Sequence, residues 1–486
     1  MTQDHANPHH ARRWAILGVI GLAQLMVVLD ATIVNIALPS AQQALEFSNE
    51  NRQWIVTSYA LAFGSLLLLG GRIGDLFGRK RVFITGLLGF SVASAIGGAA
   101  QSFEMLVAAR ALQGGFGALL APAALSLLTT TFTEPGEKAK AFGIFGAIAG
   151  GGGGLGLLLG GVLTEYLSWR WSLYVNLVFA VPAAVAAGRL LHHSGRTSDA
   201  TIDIPGTVAA SVGLFLLVFG FSRAETEGWG DVSTVGSLVA SAVMLTAFIV
   251  LQRTTKHPLL PLSILLDRAR GGSFIAMALS GAGMFAVFLF LTYFLQQSMG
   301  MTPVTTGFAF LPMIAGIIFS ASLSTTQLLP KFGPRPLVTL GMLLGSASMV
   351  LLTGIDGDTT YAAGVLPALI GMGVGMGLIF APAMQTATFG VADSDAGVAS
   401  ATVNTMQQVG GSIGTALLST LAASAVTSFA DGRTNPDVMA AAAIHGYTTA
   451  FAWAAGIFLI GAVVCGSLLP GGTVELEPGA EPVFAH

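Results

Sequence analysis

Asp30 and Arg110 are the two residues of this 486-residue chain whose surroundings make them chemically conspicuous. Each stands in a long apolar run, and they are the only acid and the only base placed well inside one. A charge at the centre of a bilayer costs about 2.5–3.5 kcal/mol on insertion scales, so an embedded pair needs a reason. One reason is static: an ion pair makes each charge tolerable. The other is chemical. A carboxylic acid holds its proton more firmly when water is withdrawn and less firmly beside a guanidinium, so alternation between such surroundings loads and releases a proton. Arg110 stays protonated throughout and acts as a charge or a donor. Other chemistry-bearing residues are poorly placed. Cys465 is the single cysteine, and His5, His9 and His10 crowd the N-terminus without metal-ligand spacing. No metal and no cofactor is expected.

The elements that must position this pair follow from composition. Hydrophobic residues make up 53% of the chain and charged residues only 9%, against about 25% charged in soluble domains. That excludes a cytosolic enzyme, a disordered chain and a nucleic-acid partner, and leaves an integral membrane protein in contact with lipid. A membrane-spanning helix needs about 20 apolar residues. Runs of that length lie near 14–38, 53–71, 82–101, 105–131, 139–164, 170–191, 204–223, 232–252, 272–297, 304–329, 336–355, 361–388, 397–426 and 444–469. They are continuous rather than alternating, so the reading is all-α with fourteen spans and no outer-membrane barrel.

With the N-terminus inside, 16 of the 21 Lys and Arg fall in cytoplasmic segments; only Arg52, Arg170, Arg223 and Arg433 fall outside. The positive-inside rule then places both termini in the cytoplasm. Trp54, Trp169, Trp171 and Trp229 sit near the outer boundaries as an aromatic belt. In this topology Asp30 is 8 residues before the outer end of span one and Arg110 is 5 residues past the outer start of span four. At about 1.5 Å per residue, both lie at a similar depth, roughly 12 and 8 Å below the outer face.

The chain also repeats itself. Gly115 to Ala123 (GFGALLAPA) matches Gly375 to Ala383 (GMGLIFAPA), and Phe77-Gly78 in the turn after span two is echoed by Phe332-Gly333 after span ten. The expected plan is an N-terminal tail 1–13, a six-helix bundle 14–191, a linker with two inserted helices 192–253, a second six-helix bundle 254–469, and a C-terminal tail 470–486. Parallel halves of this kind are one of the known transporter plans, with alternating access around a midplane cavity. Span five is glycine-rich. Gly152, Gly156 and Gly160 have four-residue spacing and, with Gly161, suggest close helix packing or a hinge. The turn Gly71-Arg72-Ile73-Gly74-Asp75-Leu76-Phe77-Gly78-Arg79-Lys80-Arg81 sets topology, and its acid and glycines suggest an inner latch that breaks on opening.

Leu29 to Pro39 (LDATIVNIALP) resembles the first-span motif of the fourteen-span drug:proton antiporters of the major facilitator superfamily. The Gly71–Arg81 turn is similar to that superfamily's motif A, Arg110 to Ala118 (RALQGGFGA) to its motif B, and Ser168 to Trp171 with Asn176 to the segment entering span six. The resemblance covers nearly the whole chain. It departs in span five, where Leu157 replaces the proline that usually follows Gly156 in the antiporter motif. It implies the major facilitator fold, proton coupling at Asp30 and Arg110, and export of amphipathic drugs or antibiotics across a bacterial plasma membrane by a functional monomer. Gln24, Met26, Asn35, Gln113, Phe285, Phe288, Gln407 and Gln408, with Asp30, are candidates for an adaptable substrate cavity. The rival readings are an uptake symporter or uniporter of the same fold and, from another class, a multispan membrane enzyme, for which no clustered catalytic groups are evident.

Overall fold

In hydrocarbon every backbone N–H and C=O must be satisfied within the chain, so apolar runs of this length fold as helices. The computed structural model of the protein describes residues 12–48, 51–52, 54–132, 134–191, 203–255, 258–391 and 396–472; the side chain of Asp75 and several on α5, α7 and α15 also lie outside the described set. Both expected tails fall almost entirely outside it.

The helices are α1 (Arg13–Leu45), α2 (Trp54–Phe77), α3 (Arg79–Gly98), α4 (Phe103–Thr131), α5 (Pro135–Tyr166), α6 (Trp171–Leu190), α7 (Ile204–Glu227), α8 (Val232–Thr254), α9 (Leu262–Leu266), α10 (Arg268–Ala286), α11 (Pro303–Leu323), α12 (Leu329–Phe332), α13 (Pro334–Leu352), α14 (Leu366–Thr388), α15 (Ala396–Ala430) and α16 (Pro436–Leu468). Thirteen stretches among the described residues are long and apolar enough to cross a membrane. The fifth expected span falls in α5, outside those thirteen; its helix runs 32 residues without an internal proline, and Leu157 is buried. Span one runs longer than its apolar text suggested, because α1 continues through Pro39 to Leu45. Two π-helical turns, Val287–Leu291 and Phe294–Ser298, extend α10.

The chain divides into two units, Met1–Thr207 and Val208–His486. In the first, α1 packs on α5 and α6, α4 on α2 and α3, and α3 on α6. In the second, α10 packs on α15 and α16, α14 on α11 and α13, and α13 on α16. The two packing schemes correspond helix for helix, and the repeated segments occupy matching places. Gly78 and Gly333 both hold positive φ, at 91° and 74°, and each immediately precedes a helix. Only glycine adopts that conformation without strain, so both copies of the turn keep it. Gly86 seats α3 against Leu120 of α4, while Gly341 seats α13 against Gly375 and Leu378 of α14. Between the six-helix sets, α7 and α8 pack on one another: Ser241 Oγ donates to the Gly213 carbonyl at 2.7 Å, and Gly213 and Gly220 receive Leu245 and Leu238.

Basic side chains close helix ends, where carbonyls lack partners and the dipole is negative. Lys80 Nζ donates to the carbonyls of Gly188 and Leu191 at 2.8 and 2.6 Å, capping α6. Arg270 caps α14 through Phe389 and Gly390, both at 3.2 Å. Two of the arginines expected in outer segments do the same: Arg170 caps α3 through Gly98 and Ala100, and Arg433 caps α15 through Phe429 and Ala430. Helix capping thus gives a local role to two of the four cations that the expected topology puts outside. Trp169 departs from the expected aromatic belt. It is buried in an apolar cluster with Leu38, Ala41, Leu106 and Leu173, where its ring lies 4.5 Å from the Arg170 guanidinium carbon.

Candidate functional site

Asp30 and Arg110 meet directly. Arg110 Nη1 lies 2.5 Å from Asp30 Oδ2, and the two side chains are 0% and 2% exposed. From Trp14 to Leu45 α1 carries no charge but Asp30, so the carboxylate draws its donors from neighbouring helices. α4 and α6 bond it directly, and α3 and α2 hold those partners. From α4, Gln113 Nε2 donates to Asp30 Oδ1 at 3.0 Å, and from α6 Asn176 Nδ2 donates to the same oxygen at 2.7 Å. Gln113 lies one helical turn after Arg110 and accepts from its Nη1 at 3.0 Å. From α3, Ser94 Oγ accepts from Gln113 at 2.9 Å and Asn176 at 2.8 Å, and donates to the Leu173 carbonyl at 2.8 Å. From α2, the Ile55 carbonyl accepts from Arg110 Nε at 3.3 Å, and the Tyr59 ring centre lies 4.4 Å from the guanidinium carbon.

The result is a buried network in which each carboxylate oxygen receives charged or amide donors. Charge-assisted hydrogen bonds of this kind are the strong ones, and in a low-dielectric interior a satisfied network is rigid. One acceptor is left over: Asn176 Oδ1 is buried and has no partner among the described residues. Beside the network a cavity of about 10 Å³, walled by Val34, Leu38, Ile55, Leu106 and Trp169, reaches Arg110. It is about the size of one water, and its apolar walls give a water few partners.

α5 holds α1 in place next to this site. An ideal Cβ on Gly152 would stand 3.2 Å from Leu25 and Val28; on Gly156 it would collide with Thr32 Oγ1 and stand 3.0 Å from the Leu29 carbonyl; on Gly160 it would stand 2.8 Å from Ile33. These contacts fall on the turns of α1 that flank Asp30. Gly161 is buried. Helix packing therefore accounts for the four-residue glycine spacing. Gly156→Leu is expected to force α1 and α5 apart, at about 1–3 kcal/mol for overpacking or more where backbone is met. Lower thermal stability of the purified variant, together with lost transport, checks this; an unchanged melting temperature would contradict it.

The other expected site residues divide between the units. In the first, Met26 is fully buried, Gln24 is half-buried, and Asn35 Nδ2 donates to the Ala31 carbonyl at 3.1 Å. Gln113 is bonded into the Asp30 network. In the second, Phe288 is buried against Phe310 with ring centres 5.5 Å apart, Phe285 packs over Gly411, and Gln407 and Gln408 are half-buried on α15, with the Gln407 carbonyl against Gly281. In the basic turn, Gly71 packs near Pro122, Gly74 has open space, Arg72 and Arg79 are half-buried with partners, and Arg81 is exposed. The side chain of Asp75 lies outside the described residues. Ser94 and Tyr59 carried no distinguishing signal in the text. Asn176 stood out only through its motif, although an amide in an apolar run is itself a marker.

Comparison with known proteins bears on the same assembly. The sequence profile described as Major Facilitator Superfamily matches residues 20–415. The chain is 50% identical over 462 residues to the puromycin resistance protein pur8 of Streptomyces alboniger, covering 94% of this chain and 92% of that one. It is 37% identical over 405 residues to the cephamycin export protein CmcT of Amycolatopsis lactamdurans, covering 83% of each. Among solved structures, a bacterial homologue of the human lysosomal transporter Spinster matches with a TM-score of 0.62 at 16% identity, over 94% of this chain and 96% of that one.

Proposed function

The chain belongs to the Major Facilitator Superfamily, a multi-pass membrane transporter with relatives in antibiotic resistance and export, and we propose that it is a proton-coupled antiporter exporting small amphipathic compounds. The observation that carries this reading is the buried Asp30–Arg110 pair, an ionisable acid bonded by side chains of α4 and α6 in a span with no other charge. In this proposal the fourteen spans place both termini in the cytoplasm of a bacterial cell, and the plasma membrane supplies the gradient. No further cofactor takes part. A proton arriving from outside neutralises Asp30 and releases it from Arg110, and loss of the proton inside restores the pair. The spare acceptor on Asn176 supports this cycle, because a protonated carboxyl needs somewhere to donate. Alternation of the two bundles then carries substrate outward, with Gln24, Met26, Phe285, Phe288, Gln407 and Gln408 contributing to the lining and the Gly71–Arg81 turn, Asp75 included, serving as the inner latch. The protein works as a monomer.

The 50% identity to a puromycin resistance protein makes puromycin the first compound to test. Inside-out vesicles with an acidified interior are expected to accumulate it, and a protonophore to abolish the accumulation. Accumulation only in right-side-out vesicles would instead make the protein an uptake system.

A further inference from the structure

The second unit contains a groove whose lining residues are apart from those assigned to transport above. It measures about 430 Å³, lies between α13 and α16, and is lined by Arg335, Pro336, Thr339, Leu340, Leu343 and Gly466. Three features give it a chemistry. Gly466 keeps the wall thin where the helices approach closely: an ideal Cβ there would stand only 3.3 Å from Thr339 Oγ1, so a larger side chain must displace its neighbours or occupy the groove. Thr339 Oγ1 is itself buried and has no hydrogen-bond partner among the described residues. At one end Arg335 is exposed, and no carboxylate pairs with it among the described residues.

The surroundings reinforce that polarity. Arg268 donates to the Ser467 carbonyl, next to Gly466, and exposed Lys331 on α12 stands four residues before Arg335, across the Gly333 turn, so further cations belong to this end of the unit. Beyond Arg335 the groove is lined by Leu340 and Leu343 of α13, and both are exposed, as are Leu459, Ile460 and Val463 of α16, on helices long and apolar enough to span a membrane. A soluble anion would meet only the cationic end. A molecule with a phosphate at one end and a hydrocarbon chain at the other satisfies the whole groove. Basic pockets between membrane helices are suited to such headgroups, and a guanidinium matches phosphate geometry in two-point contacts.

We propose that the α13–α16 groove binds one anionic phospholipid, with its phosphate on Arg335 and an acyl chain along Leu340, Leu343 and Gly466. This site is independent of the proton network and of the transport direction, and concerns only unit 2.

The test uses the delipidated full-length protein titrated with dioleoyl phosphatidylglycerol, with dioleoyl phosphatidylcholine and with glycerol 3-phosphate, and read by native mass spectrometry. Wild-type protein is expected to take up phosphatidylglycerol in preference to phosphatidylcholine, without competition from glycerol 3-phosphate. Arg335→Gln is expected to weaken phosphatidylglycerol binding about tenfold, the loss of one charge-assisted contact. Gly466→Leu, which fills the groove and keeps the arginine, is expected to weaken it similarly. Arg335 is exposed, so its variant tests binding without disturbing the core. Equal binding of the two lipids, competition by glycerol 3-phosphate, or unchanged binding in both variants would overturn the proposal.

Discussion

Asp30→Asn is expected to reduce gradient-driven substrate accumulation in inside-out vesicles to the level seen without a gradient. Asparagine keeps the shape of the site and cannot take up or release a proton. Lost activity alone would be ambiguous, however, because Arg110 is 2% exposed and would lose its counter-charge. Removing one partner of a buried ion pair costs about 3–5 kcal/mol, enough to lower membrane abundance by misfolding. The paired variant Asp30→Asn with Arg110→Gln separates the two causes. Its neutral amides can still bond to one another, so thermal stability and abundance recover, while active transport stays absent. Active transport by the paired variant would make the ion pair a packing device and move proton coupling elsewhere.

The second large effect is expected at Gln113. It contributes three hydrogen bonds to the network, with Arg110 at 3.0 Å, Asp30 at 3.0 Å and Ser94 at 2.9 Å. Leucine has a similar volume and can make none of them. Hydrogen bonds to charged groups contribute about 1.5–3 kcal/mol each, and partners left buried without replacement add to the cost. Gln113→Leu should therefore melt well below wild type and transport on the order of 10–100 times more slowly at equal abundance. Wild-type rates in this variant would mean that the amide is dispensable and that Arg110 alone holds the carboxylate.

Much of this arrangement was legible before any coordinates. Apolar run length marked the spans, and counting residues from the outer boundary put Asp30 and Arg110 at matching depths; they stand 2.5 Å apart. The echo between Phe77-Gly78 and Phe332-Gly333 reflected a shared positive-φ turn. What stayed hidden depended on tertiary neighbours. Ser94 lies among small residues that read as packing, and nothing local shows that it joins two amides from different helices. The π-helical turns after α10 leave no mark in composition, since they change hydrogen-bond register and not hydrophobicity. Trp169 sits at a span boundary, where tryptophan is expected to face headgroups; the apolar cluster around it wins instead.

The donor set around Asp30 has a mechanical consequence. α1 carries the acid, α4 supplies Arg110 and Gln113, and α6 supplies Asn176. Sliding α1 against either neighbour would break a hydrogen bond to a buried charge, at about 1.5–3 kcal/mol each. The carboxylate is thus a rivet through three helices, which favours their moving as one rigid piece.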